Sequence, residues 1–221
     1  MTRTPIPGAA LFAALMLAPV TLAGCQTAAY AVQERFGIEK RDILVDRVAD
    51  VAAEQGAAKE EFADALEAFR AVVAVDGGDL ERNYDRLKKA YDRADAQAGD
   101  VRARVAQVKR VSRDLFREWE TELGQYSDAS LRRTSERQLR DTESRYAELA
   151  ATMDDAVASM DPVLRVFNDR VLFLKHNLNA RAIASLDGET AVLEGDVARL
   201  IAEMEESIAA ADAFIAEMGA A

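Results

Sequence analysis

The chain has 221 residues, of which 50% are hydrophobic and 30% charged, and its formal net charge is −11. One histidine and one cysteine supply too few groups for a zinc site, a disulfide framework or a nucleophile–histidine pair. The acidic balance also lacks the basic footprint of a nucleic-acid-binding protein. Because the prolines are few and helix-favouring residues plentiful, the composition argues against sandwich, barrel and βαβ folds and predicts long helices.

The first residues have the pattern of a secretory signal. Arg3 supplies a positive start, and Ala9–Val20 is a 12-residue, almost wholly apolar run. Such a run is too short to span a bilayer core of about 30 Å and is typical of a signal peptide. Four residues shortly after it resemble the lipobox of bacterial lipoproteins: Leu22, Ala23, Gly24 and Cys25. The resemblance implies cleavage after residue 24 and a diacylglyceryl group on the cysteine thiol; the alternative is an ordinary signal peptide followed by an unrelated cysteine.

A lipid on Cys25 would hold the chain on a membrane of the cell envelope, facing the periplasm. Lipidation with several acyl chains is enough for stable anchoring, which one chain alone does not provide. The next residue is Gln26 rather than Asp, which in this lipoprotein class implies the outer membrane, with the inner membrane as the alternative. Without Arg3, 27 of the 28 basic residues remain against 39 acidic ones, so the lipid rather than bulk charge would supply the membrane contact.

Two heptad ladders predict the first two helices of a single domain, which we assign to residues 39–221 after a short tether at 25–38. The first ladder covers Leu44–Val72 and the second Leu80–Tyr126, each with apolar residues at alternating steps of three and four. The sequence therefore predicts two long amphipathic helices. The ladders are interrupted by three polar residues: Gln55, Ser112 and Glu122.

Short segments rich in turn and capping residues separate the predicted helices. Residues 76–79 contain Gly77 and Gly78, which permit positive φ, and Asp79, a good N-cap. A calcium loop is the weaker interpretation of this segment, because its acids lack the required spacing. A second turn is predicted at 127–130. Turns this short make consecutive helices antiparallel neighbours.

The second half of the chain predicts two further helices. A third ladder covers Leu131–Met160, and its early part is noticeably polar. Asp161-Pro162 then either kinks this helix or begins a new one; we favour one long kinked helix, because the apolar face resumes at once. A third turn is predicted at 177–185 and a last helix at Leu193–Met218. The fold prediction is all-α, an elongated antiparallel bundle of about four long coiled-coil-like helices.

The polar groups of the chain do not form a recognisable catalytic pattern. Paired acids such as Glu60-Glu61 point about 100° apart on a helix and do not converge. The one histidine lies in a polar cluster that we interpret as stitching a helix end to its neighbour. That cluster is His176, Asn177, Asn179 and Arg181. We therefore predict a protein that is not an enzyme and has no metal or cofactor.

Basic residues are concentrated around the second turn. Residues 100–145 carry eleven basic and nine acidic side chains, against sixteen and thirty in the rest of the chain after Gly24. The macrodipole disfavours cations on the first turns of a helix, yet four arginines lie there. They are Arg132, Arg133, Arg137 and Arg140. Either they pair with Asp114, Glu118 and Glu122 of the preceding helix, or they form a docking surface.

Several segments together resemble an uncharacterised family of bacterial helical lipoproteins, the domain of unknown function 2959. They include the lipobox, EKRDILV at 39–45, DGGDL at 76–80, YSDASLRRTSERQL at 126–139 and LKHNLNARAIASL at 174–186. The resemblance covers nearly the whole chain after Gly24. It implies an envelope location and a mostly helical fold, and it transfers no catalytic residue.

Three functions follow as expectations. The leading one is a non-enzymatic, lipid-anchored structural or adaptor protein of the envelope, with a protein partner or self-association. The second is a binding module for an envelope lipid or polymer, using the basic end of the bundle. The third, a hydrolase or metal enzyme, has no visible constellation of residues.

Overall fold

The computed structural model describes residues 40–74 and 80–220. The signal peptide, the lipobox, the tether and the turn predicted at 76–79 lie outside these residues. The described residues fold into five α-helices and a short 3₁₀ turn at Asp187–Glu189, with no strand among them. In chain order the helices are α1 (Lys40–Val73), α2 (Leu80–Leu123), α3 (Ala129–His176), α4 (Ala180–Leu186) and α5 (Thr190–Ala220).

The four long helices form a ring in which each packs on two neighbours. Both α1 and α3 pack on α2 and on α5. Ion pairs between α1 and α5 show their opposed directions: Lys59 contacts Glu205 at 2.6 Å, whereas Arg70, further along α1, contacts the earlier Glu194 at 2.7 Å. The prediction of an all-α antiparallel bundle with four long helices is confirmed.

The side chains at the heptad positions predicted from the sequence supply much of the core. Most apolar members of the two ladders are buried along α1 and α2, whereas the ends of the second ladder, Leu80 and Tyr126, are not. The largest fully buried side chains come from all four long helices, among them Phe62, Leu87, Phe167 and Leu200. The polar step at Gln55 is also fully buried, and neither atom of its amide has a hydrogen-bond partner. The core is therefore apolar apart from a few small or amide side chains.

The second turn is placed slightly earlier than predicted. The link between α2 and α3 is 124–128, and Ala129 and Ser130 already belong to α3. The reason is Asp128, whose extended backbone and side chain make it the N-cap: its Oδ1 accepts from the backbone N–H of Ser130 at 2.6 Å and of Leu131 at 3.1 Å.

Pro162 lies inside α3, which continues through it as one helix of 48 residues. The preferred interpretation of one long helix at Asp161-Pro162 is thus confirmed over a new helix start. Proline cannot donate to the carbonyl four residues earlier, here Ala158. Buried contacts continue on both sides of it, at Met160 and Val163, so packing holds the helix together across the interruption.

The third connection contains a short helix that the sequence pattern did not predict. Instead of a turn over 177–185, residues Ala180–Leu186 form α4. Asn179 begins it, because its side-chain oxygen accepts from the backbone N–H of Ala182 at 3.1 Å. Seven residues are too few to show a helical period, so the pattern blurs there although the chain is helical.

Candidate docking surface

The end of the α2–α3 hairpin extends past the other two long helices. Lys40, the first residue of α1, contacts Glu118 at 2.7 Å, and Arg145 contacts Glu217 at 2.9 Å, three residues before α5 ends. The chain between these contacts therefore continues as a hairpin of two helices. We call residues 119–141 the hairpin tip and the other described residues the bundle body. The part of α3 within the tip is about 20 Å long.

An aromatic cluster marks the place where the body begins. The ring of Tyr146 in α3 packs edge-on against Phe116 of α2 and Phe214 of α5, with centroid distances of 5.5 and 6.3 Å. Burial raises the pKa of Tyr146. Three helices thus meet at this level, and past the nearby Lys40–Glu118 and Arg145–Glu217 contacts only α2 and α3 accompany each other among the described residues.

The tip buries little of its surface. Within it, only Ser135 and Leu139 are buried, and the indole N–H of Trp119 donates to the Ser135 hydroxyl at 2.7 Å. Two large apolar side chains are exposed, Tyr126 at 42% and Leu131 at 57%. The tip is therefore held by one polar contact and a small apolar strip, and its end presents apolar side chains to solvent.

The helix α3 begins within the tip, just after its N-cap residue Asp128. Asp128 accepts three hydrogen bonds, from the Ser130 hydroxyl and from the backbone N–H groups of Ser130 and Leu131. The bond from the Ser130 hydroxyl and those from the backbone hold the pKa of Asp128 below its ordinary value. This carboxylate is thus engaged at the cap, and it forms no ion pair with a described arginine.

The four tip arginines differ in their contacts. Arg132 pairs with Glu136 at 3.3 Å, and Arg137 donates to the Thr134 hydroxyl at 3.0 Å. Arg133 and Arg140 have no ion pair or hydrogen bond with any described residue. Three of the four thus lack an acidic partner in the part of the chain that the structure describes.

The three α2 acids considered as partners of these arginines are engaged elsewhere or have no ion pair with a described residue. Asp114 contacts Arg117 on its own helix, and Glu118 contacts Lys40 of α1. Glu122 makes no ion pair with a described residue. The direct pairing between α2 acids and α3 arginines does not occur.

Arg133, Arg137 and Arg140 lie along one side of α3. Their spacing of four and three residues places them on one stripe, and at 100° per residue this stripe is opposite the buried Ser135 and Leu139. The stripe therefore faces away from α2. In the bundle body, by contrast, basic residues of the same stretch contact acids on neighbouring helices, as in the pairs Arg102–Asp161, Arg104–Glu54 and Lys109–Asp154.

The polar cluster predicted around the histidine lies at the opposite end of α3 from the tip. His176 ends the helix, is exposed and has no hydrogen-bond partner among the described residues. Asn177 donates its amide to the Phe173 carbonyl at 3.0 Å within the same helix. Asn179 caps α4, and Arg181 is exposed and has no ion pair with a described residue. The two asparagines thus serve helix ends, and the side chains of the four residues make no hydrogen bond or ion pair with one another.

Sequence reasoning missed a cleft of about 470 Å³ between α3 and α5. Glu203, one of the lining residues, has one carboxylate oxygen buried without a hydrogen-bond partner among the described residues. Apart from Ala158, the lining of the cleft is acidic or hydroxyl-bearing: Thr152, Asp155, Ser159, Glu203 and Glu206. No signal in the sequence separates these acids from a solvated face. Among residues 40–74 and 80–220, no group of three or more His, Cys, Asp or Glu side chains is arranged to hold a metal ion.

The comparisons with known proteins identify the family. A family model described as "Protein of unknown function (DUF2959)" matches residues 29–218, so the chain belongs to this family. The resemblance seen in the sequence motifs is confirmed at that level. No curated protein and no solved structure matches the chain. Within the described helices, none is both long and apolar enough to cross a membrane.

Proposed function

We propose that this member of the family is a non-enzymatic, lipid-anchored structural or adaptor protein of the bacterial envelope, on the periplasmic face of the outer membrane. The observation that carries the proposal is the sequence Leu22-Ala23-Gly24-Cys25, placed shortly after a 12-residue apolar run. The segment Cys25–Glu39 then leads into α1, which begins at Lys40. A cysteine at this position is well suited to hold a helical bundle on a membrane surface.

The bundle supports a structural or adaptor role through its length and its surface. A helix of 48 residues spans about 70 Å, so α3 alone reaches far from any point at which the chain is anchored. Its surface carries many exposed ion pairs and few large exposed apolar side chains. Such a bundle can hold a partner at a distance from a membrane.

Lipid labelling in a bacterial host tests the anchor. Cells expressing the full chain are grown with labelled palmitate, and Cys25→Ser is compared with Gln26→Asp, a matched change at the adjacent position. We expect Cys25→Ser to lose the label and leave the membrane fraction or accumulate uncleaved. Gln26→Asp is expected to keep the label and to shift towards the inner membrane. Equal labelling of wild type and Cys25→Ser would contradict the proposal.

The second candidate is a binding module that uses the hairpin tip. The observation that favours it is that Arg133 and Arg140 have no ionic partner among the described residues, although acidic residues outnumber basic ones in the chain. Crosslinking in cells from position Ser130, followed by mass spectrometry, tests it. We expect crosslinks that Arg133→Glu with Arg137→Glu abolishes, while helix content and melting change little.

A further inference from the structure

The hairpin tip and the beginning of α1 lie at the same end of the bundle. Lys40 contacts Glu118, the residue immediately before the tip, and Arg41 donates to the carbonyl of Met218 near the end of α5. The chain therefore enters the bundle at the end from which the tip projects. Anything that holds the chain just before α1 also holds the tip close by.

The length of chain before α1 permits the tip to reach the surface on which Cys25 is anchored. The 15 residues from Cys25 to Glu39 span at most about 50 Å when fully extended. The α3 part of the tip extends about 20 Å beyond the end of α5. The reach of this segment exceeds the projection of the tip, so both can contact one bilayer at the same time.

The chemistry of the tip suits an anionic lipid surface. Its end exposes Tyr126 and Leu131, an aromatic side chain with a polar group and an aliphatic one, next to four exposed arginines. Arginine and tyrosine place their apolar parts against lipid while their polar groups stay among the headgroups. Of the acids on residues 126–140, Asp128 is engaged as a cap and Glu136 is paired with Arg132.

The distribution of charge along the chain favours one orientation. Residues 126–140 of the tip have a net charge of +2, from four basic and two acidic side chains, whereas the rest of the chain after Gly24 has −14. The other tip residues add three acids, Glu120, Glu122 and Asp141, so the positive charge is confined to the start of α3. An anionic surface therefore repels most of the bundle and attracts the α3 arginines most strongly. A weak attraction is sufficient, because an anchored chain keeps the tip at a high effective concentration near the membrane.

We propose that the tip of the α2–α3 hairpin is a second membrane contact, which binds anionic phospholipid headgroups of the bilayer that carries the lipid anchor and so sets the orientation of the bundle. This inference rests on the proposed lipid anchor. It makes Arg132, Arg133, Arg137 and Arg140 the headgroup-binding residues, with Tyr126 and Leu131 entering the headgroup layer.

Vesicle flotation with the full chain tests this contact. All proteins carry Cys25→Ser, so they share any binding that comes from the apolar run Ala9–Val20. This background binding is measured on vesicles of phosphatidylcholine alone. The binding that counts is the increase on vesicles containing 30% phosphatidylglycerol. We expect such an increase and expect high salt to suppress it. In the double variant Arg133→Gln with Arg140→Gln, the increase in binding is expected to fall about fivefold for each arginine neutralised.

A matched control changes the same amount of charge at the opposite end of the bundle, in α3 and α4. Lys175 and Arg181 are exposed and have no ionic partner among the described residues, so Lys175→Gln with Arg181→Gln is expected to leave the increase unchanged. Equal losses in the two double variants, or equal binding to both vesicle types, would overturn the proposal. So would tip variants that lose protein crosslinks in cells but keep vesicle binding, since an acidic protein would then be the partner. Failure of the palmitate labelling overturns the anchor instead, and the two failures are therefore distinguishable.

Discussion

The bundle body and the hairpin tip are built from the same amphipathic helices, but they use them differently. In the body each long helix packs on two others, and Phe62, Phe69 and Phe167 are fully buried. In the tip, α2 and α3 pack only on each other among the described residues, so Leu131 stays exposed and Ser135 occupies a buried position. The comparison shows that the number of neighbouring helices, rather than the helix itself, decides whether a surface becomes core or is left for a partner.

The largest difference between the two regions is expected in their response to side-chain truncation. Phe62→Ala in the body leaves a cavity among fully buried neighbours and is expected to lower the free energy of unfolding by about 3–5 kcal/mol. Leu131→Ala in the tip removes an exposed side chain and is expected to change it by less than about 0.5 kcal/mol. Urea denaturation followed by circular dichroism measures both. Comparable losses would contradict the distinction between body and tip.

A gain in stability is expected at the buried polar step of the body. Gln55 is fully buried and its amide has no hydrogen-bond partner, so Gln55→Leu is expected to raise the free energy of unfolding by about 1–3 kcal/mol. Gln97→Leu is the matched control, because that amide donates to the Glu54 carboxylate at 2.7 Å and its loss is expected to give no gain. If Gln55→Leu instead lowers the free energy of unfolding, the Gln55 amide must form a hydrogen bond with a neighbouring helix in solution, and the prediction is wrong.

A pH effect confined to the tip is the smallest of the expected changes. The bonds from Ser130 and Leu131 lower the pKa of Asp128 in the folded chain, so its contribution to the cap is full above the unfolded value of 3.8. The contribution is lost as the pH falls below that value and through the folded pKa. We expect amide protection in the first turn of α3 to fall over this range, as measured by hydrogen exchange normalised for intrinsic rates.

The control for this pH effect is Asp128→Asn. Asparagine is also a good N-cap but does not titrate, so this variant is expected to keep its protection in the first turn of α3 as the pH falls. Amide protection in α1 serves as the internal reference for acid effects on the body. An identical pH response in wild type and variant would show that another carboxylate controls the tip.

Most of the fold was predictable because apolar residues recur at a regular spacing along its long helices. The ladders of α1 and α2 repeat every 3.5 residues over most of their length, and a pattern that long has few other interpretations. The course of α3 at Pro162 was open, because the sequence cannot say whether packing on both sides compensates for a missing N–H group. The short α4 was missed because it is set by a local asparagine cap rather than by a repeat.

The tip was only partly predictable for a different reason. The sequence places the arginines on the first turns of α3 and shows a polar start to its ladder, at Ser135, Gln138 and Thr142. Whether those arginines meet acids depends on how far the α2–α3 hairpin extends past α1 and α5, which is a relation between helix lengths. The partners of Asp114 and Glu118 depend on the same relation, and the sequence alone does not show them.

Hydrogen exchange of the full chain on vesicles tests the central claim most directly, namely that the tip is the part of the bundle that meets an anionic membrane. Peptide-level exchange is compared on vesicles with and without 30% phosphatidylglycerol. The account predicts slower exchange in residues 126–140 on the anionic vesicles and unchanged exchange in residues 62–69 of α1, which contribute five buried side chains to the core. Unchanged exchange at 126–140, or slowing centred on Lys175–Arg181 at the opposite end, would contradict it.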